Sequence, residues 1–369
     1  MKIMMLTNDT TFAYNLRREV LATLAEQGHE VCLVGKILNF QPELEALGCR
    51  IIEIEMQRRG TNPLSDIHLF SSYMKIMRQE KPDIVFNNNI KPCIYGGLAC
   101  KFLKIPYIPN ITGLGTAVEI PNRVQKLTIW LYRLGVSGAK ALMFQNQENI
   151  DFFRDRNMIN KRSEVLLLPG SGVNLESHPL LPFPAEDKYH FLFVARILQV
   201  KGIDQYIAAA KALRAERDDV VFHVCGGIDD PAYGPVLAKL HEEGVIVYHG
   251  LQRDIVPFYE QATCLVHPTF YPEGMSNVLL EACASGRPII STDRSGCREI
   301  VDDGINGFMI PVKDDQAVID AIRKLLAMSR EERIAMGLAG RAKVEREFDR
   351  KIVVQFYLDE IAKMEAAKV

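Results

Sequence analysis

The sequence predicts an α/β protein made of two parallel-sheet, Rossmann-like domains facing a cleft, and three observations lead there. Short apolar runs alternate with longer amphipathic stretches from one end of the 369 residues to the other, the pattern of strand, crossover helix and parallel strand. The stretch Pro169 to Lys188 is rich in Pro, Gly and Ser and interrupts both periodicities, so the alternation runs twice. The length suits domains of roughly 100–200 residues each. With 48% hydrophobic and 24% charged residues, the composition is globular and excludes disordered, collagenous and disulfide-stapled classes.

In chain order, the first half predicts strands at Lys2 to Leu6, Glu30 to Val34, Arg50 to Ile54, Ile84 to Asn87, Tyr107 to Asn110, Ala141 to Phe144 and Val165 to Leu168. Helices fill the intervals, as in Asn15 to Gln27, where Leu16, Val20, Leu21 and Leu24 recur at helical spacing and Gly28 supplies the stop. Past the linker the pattern restarts with strands near Tyr189 to Ala195, Val220 to Cys225, Ile246 to His249, Cys264 to His267 and Pro288 to Ser291. Asp349 to Val369 reads as one helix with Ile352, Phe356, Ile361 and Met364 on its apolar face. The expected organisation is a first domain over 1–170, a second over 171–348, and a terminal helix over 349–369 that returns to the first.

Forty-four Lys and Arg against 46 Asp and Glu leave a net charge of −2, too little basic excess to hold nucleic acid. The balance is uneven: residues 1–170 carry +5 and the remainder −7, so the first half favours an anionic surface if either does. The eight cysteines form no C-x-x-C pair and several lie in apolar runs, which reads as buried reduced thiols and a cytoplasmic protein. The N-terminal apolar run is too short for a signal peptide, and no stretch approaches the roughly 18 apolar residues of a membrane span.

In open α/β sheets, ligands collect where strand carboxyl ends meet helix N-termini. Two constellations fall there. In F-V-A-R-I-L-Q-V-K-G, Arg196 stands at a strand exit and Lys201 precedes the expected helix Gly202 to Arg214, whose free amides also favour an anion. Taken alone this is an ordinary pair of surface cations. In E-G-M-S-N-V-L-L-E, Glu273 and Gly274 lie in a loop, Ser276 to Ala284 is expected to be helical, and Glu281 stands about a turn and a half along it. There a carboxylate accepts hydrogen bonds from sugar hydroxyls, and the amides of Gly274, Met275 and Ser276 suit phosphate oxygens. Glu281 alone would be a solvated helix residue; its occurrence with Arg196 and Lys201 favours one elongated ligand bearing a phosphate or diphosphate, held at opposite ends by the two glutamates.

A-R-x-x-x-x-K-G paired with Glu, seven residues, Glu in the second α/β half resembles the retaining nucleotide-sugar glycosyltransferases of family 4, which have the GT-B fold. G-S-G-V-N (Gly170 to Asn174) and G-C-R-E-I-V-D-D-G-I-N-G-F (Gly296 to Phe308) resemble further segments of that family, so the likeness spans the whole chain. It implies that Arg196 and Lys201 grip the donor diphosphate, that Glu273 contacts the transferred sugar, and that Glu281 binds the ribose hydroxyls. It also implies that Gly274, Met275, Ser276 and Asn277 line the donor, with Gly226, Gly227 and the loop Gly250 to Asp254 around base and ribose. The co-substrate expected is a UDP-sugar, with no metal and no other cofactor.

The loop after the first strand departs from the family, reading N-D-T-T-F-A-Y where many members carry a Gly-Gly pair. T-G-L-G (Thr112 to Gly115), R-R-G-T-N-P (Arg58 to Pro63) and N-N-N-I-K-P (Asn87 to Pro92) look more like the subgroup that builds lipid-linked oligosaccharides, capsule and O-antigen. Gly113 and Gly115 would let backbone amides approach a ligand, or form a simple turn. Asn89, Lys91 and Arg59 are the candidate contacts to a polyprenyl-diphosphate acceptor. Pro121 to Leu134 combines the single Trp130 with Tyr132, Leu127, Arg123, Lys126 and Arg133, which suits either a membrane-surface helix or core packing. The first of these would place the protein peripherally on the inner face of the cell membrane.

No D-x-D occurs and the eight His show no ligand pair at helical spacing, so cationic side chains and helix dipoles are expected to replace a metal ion. Two alternatives stand beside transfer to a lipid-linked glycan: a same-fold transferase with a soluble acceptor, and a non-catalytic nucleotide-sugar binding module.

Overall fold

The computed structural model describes residues 1–56, 63–115, 123–185 and 187–366. The chain divides into two compact units, one comprising Met1–Gly172, Glu273–Met275 and Arg350–Val369, the other Val173–Pro272 and Ser276–Asp349. Residues 273–275, expected within the second domain, group instead with the first.

The first unit holds seven parallel strands in the order β3-β2-β1-β4-β5-β6-β7: β1 (Lys2–Asp9), β2 (Glu30–Lys36), β3 (Cys49–Glu53), β4 (Ile84–Asn88), β5 (Tyr107–Ile111), β6 (Ala141–Phe144) and β7 (Glu164–Leu167). The strands read as near-continuous apolar runs because helices cover both sheet faces. Leu69, Tyr73, Cys100, Tyr132 and Phe153 pack on one face, and Val20, Leu21, Leu24, Tyr357 and Ile361 on the other. Helix α1 (Thr10–Glu26) begins five residues before the expected Asn15, because the Asp9 carboxylate caps it by accepting from Phe12 N at 2.8 Å. Helices α2 (Gln41–Ala46) and α3 (Pro63–Glu80) follow β2 and β3, and the segment after β4 opens as a π-helical turn over Pro92–Gly96 before α4 (Gly97–Leu103). There a Cβ on Gly97 would lie 2.3 Å from Gly135 O of α5 (Arg123–Val136), so the backbones touch.

The terminal helix Arg350–Ala366 buries Val353, Tyr357, Ile361 and Met364, a face one residue away from the expected Ile352 and Phe356 at its start. Asn110 Nδ2 donates to Tyr357 Oη at 3.0 Å, and the Phe86 and Tyr357 rings lie 4.9 Å apart. Arg350 donates to Gly172 O, Asn15 O and Glu19, pinning the start of the linker to α1.

The second unit holds six parallel strands in the order β10-β9-β8-β11-β12-β13: β8 (Tyr189–Val194), β9 (Val220–Cys225), β10 (Val247–Gly250), β11 (Cys264–His267), β12 (Ile289–Thr292) and β13 (Gly307–Ile310). The last is absent from the sequence expectation: G-F-M-I is short and opens on glycine. That glycine is needed, since a Cβ on Gly307 would sit 2.0 Å from Ile289 O. In both sheets the strand order reverses once, between β1 and β4 and between β8 and β11. Those switch points, at the carboxyl ends, are where a doubly wound sheet opens a crevice for ligand.

Candidate active site

In the second unit, the loop after β8 carries Arg196 and Lys201 to the switch point, and the helix after β11 carries Glu281. Lys201 ends a single 3-10 turn (Gln199–Lys201), and Gly202 adopts φ 80 to start α7 (Ile203–Glu216). No other residue fits that position, because a Cβ would lie 2.1 Å from Pro268 O in the loop after β11. Lys201 is 8% exposed, with its Nζ 4.5 Å from the centroid of Tyr271. Nearby His267 is buried, and burial followed by the Lys201 charge pushes its imidazole down to about 3. It therefore stays neutral and adds no repulsion to the lysine. Arg196 pairs with Asp229 at 2.7 Å, which fixes one edge of the guanidinium and leaves other donors for a ligand.

Gly226 follows β9 with φ 154, and a Cβ there would meet Ala195 O at 1.7 Å, so glycine is obligatory beside the Arg196 strand exit. Gly227 O accepts from Ile197 N at 2.9 Å. After α8 (Tyr233–Glu242) and α9 (Val256–Gln261), Glu281 lies in α10 (Asn277–Ala284), where its carboxylate accepts from Tyr259 Oη at 3.2 Å. The Ser276 amide donates to Gly296 O at 2.8 Å, so the expectation that it binds phosphate is corrected: the segment Gly296 to Phe308 uses it to fix the start of α10.

In the first unit, the ends of β1, β4, β5 and β6 gather a polar group. Asn89 takes φ 72 and its Oδ1 accepts from Asn8 N at 3.1 Å, while its Nδ2 reaches Thr112 Oγ1 at 3.4 Å. Gly113 and Gly115 follow with φ 132 and 67. Against these loops sits Glu273–Met275. A Cβ on Gly274 would lie 2.4 Å from Gln145 Oε1 and 2.5 Å from Thr112 O, so the missing side chain is what lets this tripeptide leave its own domain's sequence range. The Met275 side chain is buried and packs where a Cβ on Gly170 would meet it at 2.5 Å, which makes it a packing residue.

Lys91 departs from expectation. Its Nζ pairs with Asp66 Oδ1 at 2.8 Å, and Tyr95 Oη donates to Asp66 Oδ2 at 2.8 Å, beside a pocket lined by Glu55, Ser65 and His68. The carboxylate answers much of the charge assigned to a diphosphate. Arg59 lies outside the described residues.

Two groups escaped the sequence reading. Asn146 caps α6 (Gln147–Asp155) and also donates to Glu273 O and Gly274 O. An N-cap asparagine is legible in sequence; its second partner, 127 residues on, is not. The other is a row of imidazoles, His190, His223 and His249, linked by ring-nitrogen hydrogen bonds of 2.8 and 2.9 Å across β8, β9 and β10. Burial, followed by the two neighbouring rings, lowers His223 to about 4.

On the helical side of the first sheet, α5 leaves Trp130 54% and Leu127 51% exposed while Tyr132 is buried. Tyr132 thus packs in the core while Leu127 and Trp130 of the same helix face solvent.

Each unit is a doubly wound parallel sheet with one switch point, and in the second unit that point carries Arg196, Lys201 and the helix bearing Glu281. Two family profiles cover most of the chain, "Glycosyl transferase 4-like" over residues 2–146 and "Glycosyl transferases group 1" over 182–343. The chain belongs to this glycosyltransferase family and has its GT-B fold. It is 26% identical, over 97% of both chains, to the N,N'-diacetylbacillosaminyl-diphospho-undecaprenol alpha-1,3-N-acetylgalactosaminyltransferase of Campylobacter jejuni. It is 25% identical, over 84% of both, to the capsular polysaccharide biosynthesis glycosyltransferase CapM of Staphylococcus aureus. Solved structures with the same fold include a glycosyltransferase of Rickettsia africae (TM-score 0.78, 18% identity, 98% of both chains). Another is HepE of Anabaena in complex with UDP and glucose (TM-score 0.79, 16% identity, 98% of this chain and all of that one).

Proposed function

We propose that the enzyme transfers a sugar from a UDP-sugar to a glycan carried on a polyprenyl diphosphate, with retention of anomeric configuration and without a metal ion, in surface polysaccharide or glycan biosynthesis. The observation that carries this is the placement of Arg196 and Lys201 at the β8/β11 switch point, one oriented by Asp229 and the other buried against Tyr271. Likeness to the Campylobacter transferase along 97% of the chain supports a lipid-linked acceptor. The acceptor hydroxyl attacks the anomeric carbon on the face that the diphosphate leaves. The bond from the anomeric carbon to the β-phosphate oxygen breaks, and the acceptor proton passes to a phosphate oxygen. Arg196 and Lys201 stabilise the charge that grows on the leaving diphosphate, an interaction stronger in the transition state than in the ground state.

The exposed Leu127 and Trp130, with Lys126 and Arg133 on the same helix, form the surface we assign to the lipid headgroup region. No helix among the described residues is long and apolar enough to cross a membrane.

The test is a thermal-shift screen of nucleotide sugars, followed by transfer assays with polyprenyl-diphosphate glycans and with soluble sugars. Lys201→Ala should keep its melting temperature within a few degrees and lose on the order of 100-fold in kcat. A saturable, fully active Lys201→Ala enzyme refutes the assignment; transfer to soluble sugars alone refutes the lipid acceptor. Trp130→Ser with Leu127→Ser should weaken sedimentation with anionic vesicles, and unchanged sedimentation removes α5 from that role.

A further inference from the structure

We infer that Asn146 is a positioning residue for the transfer reaction: its side-chain amide ties the Glu273–Gly274 backbone to the end of β6 and thereby sets where the Glu273 carboxylate begins. The inference rests on the reading of Glu273 as the contact to the transferred sugar.

Asn146 is 2% exposed and its side chain is committed at both ends. Its Oδ1 accepts from Asn149 N at 2.8 Å, as the cap of α6. That bond dictates the orientation of the amide, because only the oxygen can accept from an N–H, and it turns Nδ2 toward the visiting loop. Nδ2 donates to Gly274 O at 2.7 Å and to Glu273 O at 3.1 Å. The loop lies close enough to receive these bonds because residue 274 has no side chain: a Cβ would come within 2.4 Å of Gln145 Oε1. One buried amide therefore joins a fixed helix start to two consecutive carbonyls of the tripeptide that bears the carboxylate. Since the carboxylate is only three side-chain bonds from that backbone, a shift of the carbonyls is passed on to it almost undiminished.

Helix capping and tethering can be separated by substitution. Ser and Asp are good N-caps, so Asn146→Ser and Asn146→Asp retain the bond to Asn149 N. Neither keeps the tether: serine is too short to serve both ends, and an ionised aspartate has no donor for the carbonyls. Both variants should melt within a few degrees of the parent and lose roughly 10- to 100-fold in kcat, with KM for the nucleotide sugar changed less than about threefold, because the donor-gripping cations are untouched. Asn146→Ala, which loses the cap as well, should also melt earlier.

A second readout needs no activity. In the protein without substrate, backbone amide exchange over residues 273–275 should be about tenfold faster in both variants. Parental kcat with parental exchange overturns the proposal, as does faster exchange with unchanged kcat. If the parent protein transfers sugar from no nucleotide donor, the sugar-transfer reading falls on that result, while the exchange rates still decide the tether.

Discussion

Gly274→Ala puts one methyl group into the contact that seats the Glu273 loop. The new Cβ would lie 2.5 Å from Thr112 O and 2.7 Å from Thr112 C, backbone atoms at the end of a central strand, and 2.4 Å from Gln145 Oε1. Gln145 is a side chain and can turn away; the Thr112 carbonyl cannot. Ordinary contact begins near 3.4 Å, so the loop must retreat by about 1 Å, a displacement that costs on the order of 100-fold in rate when it misplaces a reacting or positioning group. Stability should move little, since residue 274 is not in the left-handed region and alanine reduces unfolded-chain entropy by about 0.4–1 kcal/mol, which offsets part of the crowding. Initial rates against nucleotide-sugar and acceptor concentration, with a thermal melt, read both quantities. A kcat within twofold of the parent would refute the claim that close seating of this tripeptide sets the geometry for transfer, and a loss of activity explained by unfolding would leave residual activity proportional to the folded fraction.

The histidine row makes stability depend on acid. His223 has a folded-state value of about 4 against an ordinary 6.5, so below 6.5 the unfolded chain binds the proton first. Stability is complete above about pH 6.5, declines as pH falls, and has lost roughly 3 kcal/mol by pH 4 from this group. Urea unfolding at intervals from pH 7.5 to 4.5 should show that decline flattened in His223→Gln, and parallel curves for parent and variant would remove the row as its source. Tyr357→Ala should cost about 3–5 kcal/mol, because it empties a site between Phe86 and α1 in the first core. Tyr357→Phe should cost about 1 kcal/mol, the bond from Asn110; urea melts that rank the two equally would overturn the packing account.

Twelve of the thirteen strands among the described residues were legible in the sequence, because a strand buried on both faces must be apolar along its length and a crossover helix must be amphipathic. The A-R-x-x-x-x-K-G and E-x-x-x-x-x-x-x-E segments were legible for a related reason. A helix start, a left-handed glycine and charged side chains at fixed offsets are local features, set by bonds within about ten residues. The early start of α1 was missed because capping by Asp9 overrode weak helical propensity in T-T-F, and β13 because its glycine serves a neighbouring strand.

Composition and periodicity thus determined the class of fold. Tertiary structure alone decided that Glu273–Met275 groups with the first unit, tied to the end of β6 through Asn146, and that Lys91 is answered by Asp66. It also decided that Trp130 stays in solvent while Tyr132 is buried, and that three histidines from three strands form one row. Each of these is a contact between residues far apart in the chain. A sequence pattern records the burial demanded of a residue, whereas the partner is chosen by the strand order that brings the two together.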